Sequence, residues 1–330
     1  MLVYLLERLR KFLKSVGKKE EKISDLITLI KYKNQSNFSK IIDENYDPIN
    51  QINDNFKLAT VIGFFYDEHK LATLFQVCES LKKITNENEI YILTNTKTST
   101  HQEKIKKGLN EKVKIIPINE IVHNRLLPWY HINVMKELYN NKETTHFLYL
   151  EDDILINKSN FTYWLNSRKI LKKFNLIPGF VRTEINQKNN ELYAVDFTKE
   201  NNILRLPKIK ISKNYEFVSH KFPYQGMYLY DRELMKEHLQ GPSSNPDCGH
   251  GAFDTNFIDP RMINLDLMAK ANIGLAYINT PDGFFNRMVT LYNNEKKEID
   301  VNCQIKHLSN KYTNLDSHHG NIKLKDAIKQ

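Results

Sequence analysis

The stretch Thr145-His146-Phe147-Leu148-Tyr149-Leu150-Glu151-Asp152-Asp153-Ile154-Leu155-Ile156 climbs through an apolar run into three acidic residues and turns apolar again. Phe147 to Leu150, rich in large apolar and aromatic side chains, read as a buried strand. Residues two apart on a strand share a face, so Glu151 and Asp153 are expected to point one way and Asp152 the other. Two convergent carboxylates at the end of a buried strand repel unless something positive lies between them. A hard divalent cation with phosphate ligands fits that place, because such sites use one or two protein carboxylates plus phosphate oxygens. The plainer alternative is an acidic strand end or helix cap facing water.

Around this stretch lie 330 residues, enough for one large α/β domain or a domain with a smaller lobe. A hydrophobic fraction of 41% and only 11 Gly and 10 Pro exclude disordered, fibrous and low-complexity classes. The net charge of +9 favours anionic partners without choosing among nucleic acid, lipid headgroups and phosphorylated small molecules. The basic residues carry no Gly-aromatic-basic RNA-binding signature, so no nucleic-acid partner is expected. Cys78, Cys248 and Cys303 are far apart and form no Cys-x-x-Cys pair, which argues against a zinc ribbon or a disulfide framework. A reducing cytoplasm is the simplest setting. No run is long enough to span a bilayer, and Glu7, Arg8 and Arg10 interrupt any signal-peptide core. Heavy use of Asn, Lys and Ile points to an AT-rich, bacterial genome.

Residues 1–55 read as an N-terminal extension. Leu2, Leu5, Leu6, Leu9, Phe12, Leu13 and Val16 fall at helical spacing, with Arg8, Arg10, Lys11, Lys14, Lys18 and Lys19 supplying charge elsewhere. This is the pattern of a basic amphipathic helix that lies on an anionic membrane surface through residues 1–20. Packing of the same stripe on the protein, or on a second copy in a homodimer, is the alternative. A second helical pattern covers Ser24 to Tyr32, and Asn34 to Asn55 reads as a polar linker with a turn at Asp47-Pro48.

Residues 56–155 read as a strand-helix series. Leu58 to Tyr66 is a buried strand, followed by a helix over His69–Ile84, a strand over Glu89–Thr94, a polar helix over Thr100–Leu109 and a short strand over Val113–Ile116. A helix from Tyr130 to Asn140 then feeds the acidic strand. This alternation predicts parallel pairing with right-handed crossovers, in which ligands bind beyond the carboxyl ends of the strands. Glu151 and Asp153, Phe65 and Tyr66, and Thr94 and Asn95 all stand at such ends.

At this point the chain resembles a glycosyltransferase of the GT-A fold. The likeness is carried by the strand Ala59 to Phe65, the helix-strand unit Leu127 to Leu150, and Glu151-Asp152-Asp153 in place of the family's Asp-x-Asp motif. It extends from Leu58 to Asn314. It implies an α/β fold with a Rossmann-type mixed sheet flanked by helices, behind the helical N-terminal extension. Residues 56–155 would be the nucleotide-binding half, 156–315 the acceptor-binding and catalytic half of the same domain, and 316–330 a tail.

The resemblance further implies a nucleotide-sugar donor such as a UDP-sugar, a glycan or lipid-linked acceptor in envelope polysaccharide synthesis, and Mn²⁺ or Mg²⁺ as cofactor. The sugar moved would be a hexose or N-acetylhexosamine. Asp153 would hold the metal and Glu151 the ribose or the metal shell, with Asp152 orienting the sugar. Phe64, Phe65 and Tyr66 would border the base and ribose, Asn95 a base edge, and Arg125 and His131 the phosphates or sugar. In Ile177 to Glu184, Arg182 and Glu184 lie two apart on one strand face and would meet sugar hydroxyls. Tyr224 to Arg232 reads as a strand with a Gly at its start and a helix capped at Asp231. Asp254, with His250 as alternative, would be the base of an inverting enzyme. His307, in a short strand from Cys303, would be a further metal ligand, with Lys306 and Lys311 near the leaving diphosphate.

Two other readings compete. A sugar-phosphate nucleotidyltransferase shares the scaffold, but Gly63-Phe64-Phe65-Tyr66-Asp67-Glu68-His69 lacks the Gly-rich basic loop it requires. A non-catalytic scaffold on the membrane surface would fold normally and turn nothing over.

Overall fold

The computed structural model describes residues 2–15, 21–52, 55–96, 98–109, 113–118, 121, 126–197, 201–246, 265–313 and 319–329. Two helices open the chain, α1 (Leu2–Ser15) and α2 (Glu21–Lys33). The strand-helix series follows as β1 (Leu58–Phe64), α3 (Leu71–Lys82), β2 (Asn88–Thr94), α4 (Ser99–Lys107), β3 (Val113–Pro117), α5 (Leu127–Asn140) and β4 (His146–Glu151). These bounds match the periodicity of the sequence because every strand but the edge strand β3 is dominated by buried Ile, Leu, Val or Phe.

Beyond β4 come β5 (Ile154–Leu155), α6 (Lys158–Leu171), β6 (Ile177–Pro178), β7 (Val181–Ile185), β8 (Leu192–Ala194), β9 (Asn201–Asn202), β10 (Lys208–Lys210) and β11 (Tyr215–Val218). The chain continues through β12 (Met227–Asp231), α7 (Arg232–Gln240), α8 (Leu267–Ile273), β13 (Met288–Asn293), β14 (Glu298–Ile299), β15 (Gln304–His307), β16 (Ile322–Lys323) and β17 (Ile328–Lys329).

The first sheet has the order β3-β2-β1-β4-β12, with β1 to β4 parallel and β12 antiparallel to β4. The expected Rossmann-type mixed sheet flanked by helices, behind a helical extension, is therefore what the chain adopts. The chain runs outward from β1 through β2 to β3, then crosses to the other side of β1 to form β4. Strand order reverses between β1 and β4, which opens a crevice beyond their carboxyl ends. In that register Gly63 lies opposite Glu151.

A second sheet, β10-β11-β13-β14, carries β6 on β13. A third has the order β16-β8-β7-β15-β5. Strand β5 begins three residues after β4 ends yet belongs to this third sheet, so the acidic triplet is the corner where the chain changes sheets.

The stretch expected as a linker is packed against the domain. Phe38 and Tyr46 are buried, the backbone N–H groups of Ile42 and Asp43 both donate to the Ile211 carbonyl, and Tyr46 shares a hydrogen bond with Ser167. The Asp47 turn is present, its carboxylate accepting from the Ile49 N–H at 2.9 Å. Two aromatic anchors outweigh the polar composition that suggested a free connection.

Helices α5 and α7 cover a buried aromatic group on β4 and β12. His131 stacks on Tyr149 at 4.0 Å, and His238 lies against Tyr228 and Tyr230. His131 therefore belongs to the core and not, as expected, to a phosphate or sugar contact; its Nδ1 donates to the Pro128 carbonyl. Burial holds His131 and His238 down at about 3, and His146 and His220 at about 4, so all four fold as neutral imidazoles.

Because these four folded-state values lie below the unfolded value of about 6.5, their stabilisation is complete above that pH and is lost as pH falls towards 4. His307, raised by its carboxylate partners, and Asp152, pushed up to about 7 by burial and then by the Asp153 charge, act in the opposite direction but are outnumbered. The melting temperature is expected to drop steeply between pH 6.5 and 4, and His131→Phe should flatten that slope; a melting temperature flat over this range contradicts the burial argument.

Candidate active site

Strand β4 ends at Glu151, and Asp152 and Asp153 form a turn. Alternation along the strand therefore stops one residue into the triplet, and each of the three carboxylates takes its own direction. Glu151 and Asp153 do not share a face as expected.

Glu151 turns towards β12. Its backbone N–H donates to the Gly226 carbonyl at 2.9 Å, its Oε1 accepts from the Tyr224 hydroxyl at 2.5 Å and from Asn272 Nδ2 at 3.1 Å, and its Oε2 lies 3.9 Å from Arg182. Its Oε1 is taken by protein donors, while its Oε2 faces Arg182 beyond hydrogen-bond distance. Gly226 makes the approach possible. It has φ +64°, and a Cβ there would lie 3.0 Å from Glu151 Oε2 and 3.1 Å from Ile154.

Asp153 turns towards the third sheet. Pairing of β5 with β15 puts His307 opposite Ile154, and the Leu308 N–H donates to the Asp153 carbonyl at 2.8 Å. His307 Nε2 then stands 3.1 Å from Asp153 Oδ2. On the other side, β15 runs parallel to β7 with Lys306 opposite Thr183, which brings Glu184 Oε1 to 2.5 Å from His307 Nδ1. Glu184 also accepts from the Thr313 N–H at 2.8 Å. The result is a buried carboxylate-imidazole-carboxylate row in which Glu184, expected to contact substrate, instead fixes the imidazole.

The charges follow from this geometry. Burial pushes the Asp153 carboxyl up, but the His307 hydrogen bond and the charges of His307, Lys311 and Arg182 outweigh it and hold it at about 2. Burial lowers His307, and its two carboxylate partners raise it above its ordinary value. Asp152 has no such partner. Burial, then the Asp153 charge, pushes it up to about 7, and its Oδ2 accepts no hydrogen bond among the described residues; the Lys70 ammonium is 3.6 Å away.

Arg182 organises the remaining side. Its guanidinium forms a two-pronged pair with Asp196, at 3.0 and 2.7 Å, and lies between the rings of Tyr224 and Tyr312 at 4.6 and 5.5 Å. It is 4% exposed, so as a positioning residue it acts through Glu151, Asp196 and the two tyrosines.

At the ends of β1 and β2, Phe64 is sealed in the core at 0% exposure and cannot border a ligand, which corrects its expected role. Phe65, one residue past the strand, is 42% exposed. Tyr66 stacks on His101 at 4.1 Å and donates its backbone N–H to Asn95 Oδ1 at 2.7 Å, so Asn95 shapes the loop. The hydroxyls of Tyr66, Thr94 and Thr96 are buried without a partner among the described residues. Buried polar atoms of this kind are normally satisfied. Arg125, His250 and Asp254 lie outside the described residues.

Sequence reasoning singled out the Tyr224 stretch and its Gly without assigning Tyr224 a partner, and it missed Lys70, Asp196 and Asn272. Nothing local marks Asn272, which sits in the last turn of α8 and reaches Glu151 only through tertiary packing.

Among the described residues no three His, Cys, Asp or Glu side chains converge on one point as a ready metal cage. The pair Asp153 Oδ2 and His307 Nε2 nevertheless fits a divalent cation that takes its other ligands from substrate and water. One hard oxygen and one imidazole nitrogen suit Mn²⁺. Glu184 behind the imidazole supplies the outer-shell carboxylate that metal-binding histidines use.

No family model and no curated protein matches this chain. Solved structures resemble it at low identity. Galactosyltransferase LgtC, in complex with donor and acceptor sugar analogues, is 14% identical with a TM-score of 0.24, the match covering 32% of this chain and 41% of that one. Mannosyltransferase PcManGT from Pyrobaculum calidifontis, in complex with GDP-Man and Mn²⁺, is 9% identical with a TM-score of 0.38, covering 74% and 61%. A 4-diphosphocytidyl-2C-methyl-D-erythritol synthase from Anaerococcus prevotii is 7% identical with a TM-score of 0.30, covering 56% and 76%. The chain thus spans less than two thirds of the two sugar transferases.

Gly226→Ala introduces a Cβ against Glu151 and Ile154 in a backbone conformation that disfavours it. The expected cost is about 1–3 kcal/mol, a fall of several degrees in melting temperature. Scanning calorimetry checks this; an unchanged melting temperature means that Glu151 is not held as closely as described.

Proposed function

We propose that the chain is a metal-dependent glycosyltransferase of the GT-A type that moves a sugar from a nucleotide-sugar donor to a glycan or lipid-linked acceptor. The observation that carries this reading is the row Glu184-His307-Asp153 at the crevice between β1 and β4. An α/β sheet binds its ligands in such a crevice. The hydroxyls of Tyr66, Thr94 and Thr96 lie buried at the same strand ends. The finer calls remain part of the proposal: Mn²⁺ before Mg²⁺, a hexosyl or N-acetylhexosaminyl donor, and envelope polysaccharide as the product.

Asp153 and His307 would hold the metal, which supplies electrostatic stabilisation of the charge that builds on the nucleoside diphosphate as the glycosidic bond breaks. Glu184 keeps the His307 ring turned so that Nε2 faces Asp153. Lys70 and Lys311 stand at the exposed rim, where their ammonium groups meet phosphate oxygens. Tyr224 and Asn272 orient Glu151, and Arg182 supports it from behind, so that the carboxylate presents a fixed acceptor to a donor hydroxyl. Asp254, with His250 as alternative, is assigned the proton from the acceptor hydroxyl if the anomeric centre inverts.

The nucleotidyltransferase alternative calls for a basic glycine loop after β1. The segment after β1 passes directly into a short helical turn at Glu68–Lys70, with Glu68 paired to Lys104 at 2.8 Å, in place of a basic glycine loop.

Sugar nucleotides with Mn²⁺ should raise the melting temperature of the native chain, because a ligand that binds only the folded state stabilises it. Asp153→Ala should abolish the Mn²⁺-dependent part of that rise. Glu184→Gln should weaken Mn²⁺ affinity about 10- to 100-fold, as loss of an outer-shell carboxylate does. No rise with any UDP-, GDP- or CMP-sugar overturns the reading, and a rise unaffected by Asp153→Ala overturns the metal assignment.

A further inference from the structure

Helix α1 lies along α2, and this contact uses only one side of it. Val3, Leu6 and Leu13, at helical spacing, are its partly covered apolar positions. A second apolar stripe, Leu2, Leu5 and Leu9, runs about 100° around the helix from the first and is 59, 53 and 45% exposed. Phe12 continues it at the next turn. Arg8 stands about 80° beyond this stripe, away from α2, and Lys11 about 60° farther round, both exposed.

The helix is held in this orientation. Lys31 of α2 bridges Glu7 of α1 at 3.3 Å and Asp282 at 3.0 Å. Asp25 of α2 pairs with Lys221, and the Tyr32 hydroxyl donates to the Lys208 carbonyl at 3.1 Å. At Gly283, whose φ is +87°, a Cβ would lie 2.8 Å from the Tyr32 backbone, so α2 seats closely on this loop. Rotating α1 to hide its second stripe would break the Glu7 bridge.

We propose that the outer face of α1 docks on an anionic lipid bilayer, with Leu2, Leu5 and Leu9 entering the interface and Arg8 and Lys11 meeting lipid phosphates. Charge selects this occupant over a second copy of the chain. Glu7 is the only acidic residue of α1 and is already paired with Lys31, so two copies joined through this stripe would bring their cationic flanks together. Area argues the same way. A helix of 14 residues is about 21 Å long, and a stripe about 10 Å wide gives about 200 Å² a copy, short of the roughly 1,200 Å² in total that a stable dimer buries. A leucine-lined face with a basic flank is the composition that lies at an anionic interface. The docking surface is also tied to the site: Lys221, gripped by Asp25, is three residues before Tyr224, the residue that holds Glu151.

The test is flotation of the full chain with vesicles, without any sugar nucleotide, so that its outcome is independent of the transferase reading. The chain should float with phosphatidylglycerol-containing vesicles and stay behind with phosphatidylcholine alone. The doubly substituted Leu5→Glu, Leu9→Glu chain should bind on the order of tenfold more weakly or not at all. Arg8→Glu with Lys11→Glu should weaken binding and remove its salt dependence. All four positions are exposed, and circular dichroism should show both variants folded. Equal flotation with both lipids, flotation unaffected by the leucine substitutions, or a concentration-dependent dimer that those substitutions dissolve would each overturn the proposal.

Discussion

The candidate site is governed by an imbalance of buried charge. Glu151, Asp152, Asp153, Glu184 and Asp196 gather around two buried cationic groups, Arg182 and His307, while Lys70 and Lys311 stay at the exposed rim. Arg182 is committed to Asp196 and His307 to Asp153 and Glu184, and Asp152 is pushed up to about 7, by burial first and then by the Asp153 charge. Buried carboxylates are tolerated only when paired or hydrogen-bonded. Every other feature of the site can be read as a response to this requirement. Tyr224 and Asn272 donate to Glu151, the Thr313 N–H donates to Glu184, and the chain turns sharply at Asp152-Asp153 so that neighbouring charges diverge.

The same turn couples the sheets. Two residue pairs, Leu155 with Lys306 and Ile154 with His307, and the hydrogen bond from the Leu308 N–H to the Asp153 carbonyl bring β15 to the end of β4. The imidazole is thus delivered by a strand some 150 positions distant, and its orientation is set by a third strand, β7, carrying Glu184. Arg182, two residues before Glu184 on that strand, faces Glu151, while Glu184 bears on Asp153 only through His307. One face of a short strand thus serves both Glu151 and the His307 imidazole.

Much of this was legible in the sequence. Uniformly apolar strands and intervening helical patterns gave β1 to β4 within a residue or two, and the apolar Tyr228-Leu229-Tyr230 followed by Asp231 gave β12 and the cap of α7, whose carboxylate accepts from the Leu234 N–H. His307 and Arg182 were legible as candidate residues because rare chemistry stood out in short strands. What failed did so where a local rule met a boundary. Period-two reasoning carried Glu151 and Asp153 onto one face, but the strand ended between them. Phe64 was grouped with Phe65 and Tyr66 by type, although it is the last residue of the strand and points into the core. The polar composition of 34–55 hid Phe38 and Tyr46, and Asn272 had no signal short of the tertiary contact itself.

The antiparallel pairing of β12 with β4 has a bearing on how the chain is made. Strand β4 is flanked by β1 early in synthesis, but its other edge stays open until Met227 to Asp231 have emerged, some eighty residues later. During that interval a largely apolar strand exposes a row of unpaired backbone groups, the arrangement most prone to misassociation. Closure also demands a long-range contact, which is slow to form. A fragment cut after β4 would keep that open edge permanently, so the two parts of the chain depend on each other for solubility as well as for the site they share.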